Sequence, residues 1–86
     1  MKIIKILKAY PIASRVRGEG LIDLSKLSLI IRGYDVEYSV EGNVKVEKAG
    51  DNIFRVSGGP GKAVFRIRAY GNFDEYLESK SVEVLG

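Results

Sequence analysis

Residues 34–70 read YDVEYSVEGNVKVEKAGDNIFRVSGGPGKAVFRIRAY, and this stretch decides the fold. Apolar and polar residues alternate through it with a period of two, as they do in strands that bury one face. Val36, Tyr38 and Val40 alternate with Glu37, Ser39 and Glu41, and Val44 and Val46 with Lys45 and Glu47. Phe54 and Val56 alternate with Ile53 and Arg55, and Ala63, Phe65, Ile67 and Ala69 with Val64, Arg66, Arg68 and Tyr70. Turn-forming residues separate the runs: Gly42 and Asn43, then Ala49 to Asn52, then Ser57 to Gly61 with three glycines and Pro60. Glycine, Asn and Pro supply the dihedral angles that turns need, so four strands joined by short connections are expected here.

Outward from this stretch, Val82 and Val84 alternate with Ser81 and Glu83 in a last strand. Residues 71–80 suit a helical turn or a long loop. On the N-terminal side, Leu27, Leu29 and Ile31 face one way and Ser28, Ile30 and Arg32 the other. Leu21, Ile22 and Leu24 continue that strand across a bend or bulge near Ser25 and Lys26. Segment 2–10 is open to two readings. Lys2, Lys5 and Lys8 recur every three residues, which fits an amphipathic helix. Three β-branched Ile residues, Pro11 just beyond and a length of nine residues favour a strand. The strand reading is taken.

About seven strands with a turn every eight to twelve residues indicate an all-β antiparallel sandwich or barrel. The chain of 86 residues and 9.5 kDa is one domain, 1–86, without linker or repeat. Size scaling gives roughly 5,000 Å² of folded surface, enough for one small core. That core is expected to comprise Ile22, Leu24, Leu27, Leu29, Ile31, Val36, Tyr38, Val40, Val44, Val46, Phe54, Val56, Phe65, Ile67, Val82 and Val84.

The composition excludes much chemistry. Cys, His and Trp are absent, as are Gln and Thr. Without Cys there is no disulfide framework, and without Cys and His the common zinc sites are excluded. Triads and papain-like dyads need a His. Depletion of thermolabile residues suggests a thermophile source. No apolar run approaches the ~20 residues of a membrane span. Lys5 and Lys8 interrupt what would be the apolar region of a signal peptide. The chain is therefore expected in the cytoplasm if complete, and outside the cell if it is a domain of a longer secreted protein.

The run Y-x-V-E-Y-S-V, G-N-V-K-V, N-I-F-R-V and G-G-P-G-K-A-V-F-R-I-R-A-Y from Tyr34 to Tyr70 resembles a bacterial immunoglobulin-like domain of the group 2 type, the intimin and invasin-like modules. Such domains typically close with G-x-A-x-I-x-x-x-A and a last strand S-x-x-V-x-V. Gly61, Ala63, Phe65, Ile67, Ala69, Ser79, Val82 and Val84 follow that pattern. Tyr38 stands at the family's usual Trp position, and Glu41, Gly42 and Asn43 replace its serine-rich turn. The resemblance covers about half of the chain and implies a seven-stranded antiparallel immunoglobulin-like sandwich. It also implies a non-catalytic spacer, stalk or adhesion role. The alternative architecture is a small OB-like barrel of the kind that binds oligonucleotides.

Ser57 to Lys62 superficially suggests a phosphate loop. However, Ala63 stands where such a loop needs Ser or Thr, and a strand rather than a helix follows, so a stiffened hairpin is expected. Arg66, Arg68 and Tyr70 share one strand face, where they could hold phosphates and stack on a base. Alternatively, Glu37 and Glu41 on a neighbouring strand pair with Arg66 and Arg68, and pairing is the preferred reading. Asp74, Glu75 and Glu78 form the tightest acidic cluster but specify neither a calcium cage nor a catalytic acid pair.

The net charge of +3 conceals a basic first third: residues 1–33 carry +5 and the remainder −2. Lysines on the first segment protect an edge strand from aggregation, while its Ile residues leave apolar groups on both faces. The expected surface therefore comprises Lys2, Ile4, Lys5, Ile6 and Lys8 on the first strand, with Arg66, Arg68 and Tyr70 on the arginine face. The expected function is a non-catalytic structural or protein-interaction module that uses no metal, cofactor or small-molecule substrate. Its partner is another protein or a second copy docked through the first strand. The alternatives are a single-stranded nucleic-acid-binding barrel and a self-assembling viral or surface-layer subunit.

Overall fold

The computed structural model describes residues 3–71 and 75–86, with Ile3 and Ile4 described by their backbone alone. The chain forms helix α1 (Ile3–Ala9), strands β1 (Arg15–Arg17) and β2 (Glu19–Asp23), a 3-10 turn (Ser25–Leu29), and strands β3 (Gly33–Gly50), β4 (Ile53–Tyr70) and β5 (Glu75–Leu85). The protein is mostly β, as the alternation predicts. Its described strands form one five-stranded sheet curled into a half-barrel, where the sequence predicts seven strands in two layers. Strand β4 is central. β3 runs antiparallel along one of its sides, while β2 pairs with residues 53–57 and β5 with residues 61–70 on the other. β1 lies parallel to the end of β5.

The strand count falls because two expected turns are not turns. Gly42 opposes Gly61 and Val44 opposes Gly58, so one β3 residue, Asn43, faces two on β4. The extra β4 residue makes a bulge, which bends the strand and increases its twist. Gly58 and Gly59 take φ of +96° and +98° there, and Asn43 Nδ2 donates to the Gly59 carbonyl at 3.1 Å. The hairpin reading of Ser57 to Lys62 is thus corrected: this segment is the elbow of one continuous strand. The true hairpin turn is Asp51–Asn52, within the second expected turn.

The elbow curls the sheet. An 18-residue strand would run to roughly 56 Å if straight, yet the whole molecule is 41 Å long. Leu24 ties both ends of the hairpin together. Its carbonyl accepts from the Tyr34 hydroxyl at 2.8 Å, and its N–H donates to the Asn52 carbonyl at 2.8 Å. The aromatic contacts follow from this fold-over: Tyr38 on one leg meets Phe54 on the other, with ring centroids 5.7 Å apart.

The concave face holds the core. Ala63, Phe65, Ile67 and Ala69 of β4, Phe54 and Val56 below the elbow, and Val82 and Val84 of β5 are buried there. Leu7 of α1, Ile22 of β2, and Leu24, Leu27 and Ile31 around the 3-10 turn cover them. Ten of the expected core residues are buried, and Val36, Val44 and Val46 pack partly buried against them. Leu29, Tyr38 and Val40 are instead exposed, while Leu7, Ala63 and Ala69 join the core.

Three further expectations are corrected. The first segment is a helix, not a strand. Burial of Leu7 outweighs the small propensity cost of Ile, and the Lys80 ammonium donates to the Lys8 carbonyl at the helix end. Residues 25–29 are a 3-10 turn, because Leu24, Leu27 and Ile31 follow helical spacing onto the core. Residues 75–80 belong to β5 rather than to a loop or helical turn.

Candidate functional site

The convex face is set by the strand register. Arg66 stands between Glu37 and Ser79, and Arg68 between Asp35 and Leu77. The ion pairs follow: Arg66 to Glu37 at 3.9 Å, Arg68 to Glu75 at 2.8 Å and Lys62 to Glu41 at 3.5 Å. The Tyr70 hydroxyl donates to Asp35 Oδ2 at 2.9 Å, and this bond raises the phenol above its ordinary pKa. Below the elbow Arg55 pairs with Glu19 at 3.1 Å and Lys45 with Glu47 at 2.8 Å. The Lys45–Glu47 contact holds the ammonium above and the carboxyl below their usual values. The expected pairing with Glu37 is present at Arg66, whereas Glu41 faces Lys62 and the Arg68 partner is Glu75. Arg66, Arg68 and Tyr70 do share one face.

The first-strand set is rearranged by the helix. Lys5 and Lys8 are exposed on α1, and Ile6 is half-buried against the core. Lys2 and Asp74 lie outside the described residues, and of Ile4 only the helical backbone is described. With no strand in this segment, docking through a first-strand edge loses its basis. Among the described residues, no group of three acidic side chains is close enough to hold a metal ion.

A surface that the alternation does not reveal lies beside β2. Leu21, Leu29 and Ile30 are 58%, 84% and 57% exposed. They line an open groove of about 570 Å³ together with segment 10–13, Asp23 and Lys26. A second hollow of about 400 Å³ shares Tyr10, Pro11 and Ile30 and reaches Lys5, Ile6 and Ala9 on α1. The floor is firmly built. The Tyr10 hydroxyl donates to the Asp23 carbonyl at 2.7 Å, and Asp23 Oδ1 accepts from the Ser25 N–H at 2.9 Å and from its hydroxyl. Those bonds from Ser25 lower the Asp23 pKa and occupy the groove's one carboxylate. Lys5 and Lys26 form no ion pair among the described residues, and the ionised Asp23, which Lys26 also stabilises, offsets one of their two charges, so the rim keeps a single excess positive charge around an apolar floor. The unbroken run Leu29-Ile30-Ile31 was the available signal, since only one of its members can face a core on a tight turn.

No family model, curated protein or solved structure matches this chain.

Proposed function

We propose that this chain is a non-catalytic protein-interaction module, and that its groove beside β2 seats an apolar segment flanked by acidic residues on a partner protein. The observation that carries this reading is the contiguous exposure of Leu21, Leu29 and Ile30 within one lysine-rimmed groove. Exposed apolar clusters rimmed by polar groups mark interaction sites, because their desolvation drives association. The excess positive charge of Lys5 and Lys26 over Asp23 steers an acidic partner, in keeping with the +5 carried by residues 1–33. A spacer or adhesion role, as the immunoglobulin-like resemblance implies, belongs to the same class. A thermophile source fits the same composition.

The second reading is a single-stranded nucleic-acid-binding barrel. It draws on the curled five-stranded sheet and the exposed Tyr38 and Tyr70 rings. It is disfavoured because Arg66 and Arg68 already face carboxylates, which a phosphate would have to displace. Display selection of peptides on the folded protein, followed by fluorescence anisotropy, distinguishes the two. Selected acidic–apolar peptides should lose about tenfold or more in affinity with Leu29→Asp and be unaffected by Arg66→Glu with Arg68→Glu. Salt-dependent retention of single-stranded DNA that disappears with the arginine pair would reverse the preference.

A further inference from the structure

We infer that β3 pairs edge to edge with the β3 of a second copy of this chain, antiparallel, about a twofold axis at Asn43. Among the described residues, β3 is paired with β4 on one side and with no strand on the other, over 18 residues. A free edge of that length presents a row of unpaired N–H and C=O groups, a template for another strand. Between residues 38 and 48 all side chains are exposed except Val44 and Val46, which are half-buried. The molecule's surface of 5675 Å² also exceeds by roughly 600 Å² the value for a compact chain of this size.

The choice of a second copy rests on self-complementarity. A twofold at Asn43 places residue 41 opposite 45, 40 opposite 46 and 38 opposite 48. On the convex face Glu41, already 3.5 Å from Lys62, then meets the partner's Lys45, itself 2.8 Å from Glu47, so the two intrachain pairs join without displacement into one alternating row, twice by symmetry. On the concave face Val40 meets the partner's Val46, and the Tyr38 ring meets the partner's Lys48. Tyr38 and Val40, 47% and 44% exposed on the apolar side of the sheet, are thereby covered. Shifting the register by two residues either way sets Glu37 or Glu41 against the partner's Glu47, and like charges directly opposed destabilise a strand pair. The even-numbered side chains of β3 stay on one face through the elbow, so both concave faces join into one trough.

Sedimentation equilibrium from about 1 μM to 1 mM tests the proposal, with a thermal melt confirming that each variant folds. The wild-type chain should dimerise. Glu41→Lys and Lys45→Glu should each weaken self-association by roughly tenfold or more, since two attractive pairs become two repulsive ones. An equimolar mixture of the two variants should form heterodimers, because every 41–45 contact in it again joins opposite charges. Mild oxidation should cross-link Asn43→Cys to itself, and should not cross-link Ala49→Cys, which faces Glu37 of the second copy. A strict monomer at about 1 mM overturns the inference, and means that any partner on this edge is a different chain. So does a dimer indifferent to both charge reversals, or one in which Ala49→Cys links as readily as Asn43→Cys. The edge is separate from the β2 groove, so loss of peptide binding with Leu29→Asp leaves this test unaffected.

Discussion

At the residue scale, the fold turns on a few positions where the backbone comes too close for a side chain. A methyl group on Gly58 would sit 2.5 Å from the Asn43 carbonyl oxygen, and its φ of +96° is one that L-residues rarely adopt. Gly18 shares the positive φ, at +78°, but has nothing within 4 Å of its missing methyl. The two substitutions separate dihedral cost from steric cost. Gly18→Ala should cost about 1–2 kcal/mol, the penalty of a left-handed L-residue. Gly58→Ala adds an overlap with fixed backbone and should cost about 3–5 kcal/mol in all. Urea denaturation of both variants checks the difference, and equal losses would mean that the elbow relaxes around the methyl group.

At the element scale, α1 and the 3-10 turn show how a local pattern is overridden. Seven residues are too few for an isolated helix, so α1 exists because Leu7 is buried on β5. Leu7→Ala should cost about 2–4 kcal/mol and fray the helix, seen as lost stability and faster amide exchange in residues 5–10. Leu29→Ser, at a side chain 84% exposed, should change stability by less than about 0.5 kcal/mol. Alternation made β3, β4 and the end of β5 legible, and Asp51–Asn52 announced its turn. The Gly42–Asn43 and Ser57–Gly61 signals resemble chain reversals in sequence because glycine and proline serve bulges and turns alike. Partners decide between the two, and partners are not local. The arginine face was legible because a strand fixes its own faces. The β2 groove was not, since it is assembled from a linker, a strand edge and a turn that meet only in the folded chain.

At the scale of the whole molecule, six ion pairs are distributed over the described surface, with side chains 46–73% exposed. Exposed pairs contribute little each and are screened by salt. Stability rests on the apolar concave face. Raising NaCl from about 0.05 to 1 M should therefore shift Tm by only about 1–4 °C, measured by calorimetry at a fixed protein concentration. A fall of about 10 °C or more would assign the charged face a structural role that its exposure does not suggest.

The elbow of β4 also sets a rule for how this chain can vary in length. Below it the even-numbered residues Phe54 and Val56 point inward, and above it the odd-numbered residues Phe65 and Ile67 do. The strand is thus out of phase with itself by one residue, and Gly59–Pro60 opposite Asn43 absorbs the slip. Deleting Gly59 alone would bring both halves of β4 into one phase and one register with β3, with Phe54, Val56, Phe65 and Ile67 all still facing inward, and would remove the bulge that bends the strand. Loss of one residue here therefore keeps every face and costs only the bend, whereas loss of one residue elsewhere in β4 would turn the faces of the strand beyond it. The glycine-rich stretch looks like the most permissive part of the chain, yet its single surplus residue is the length difference between the two strands that makes the hairpin curl.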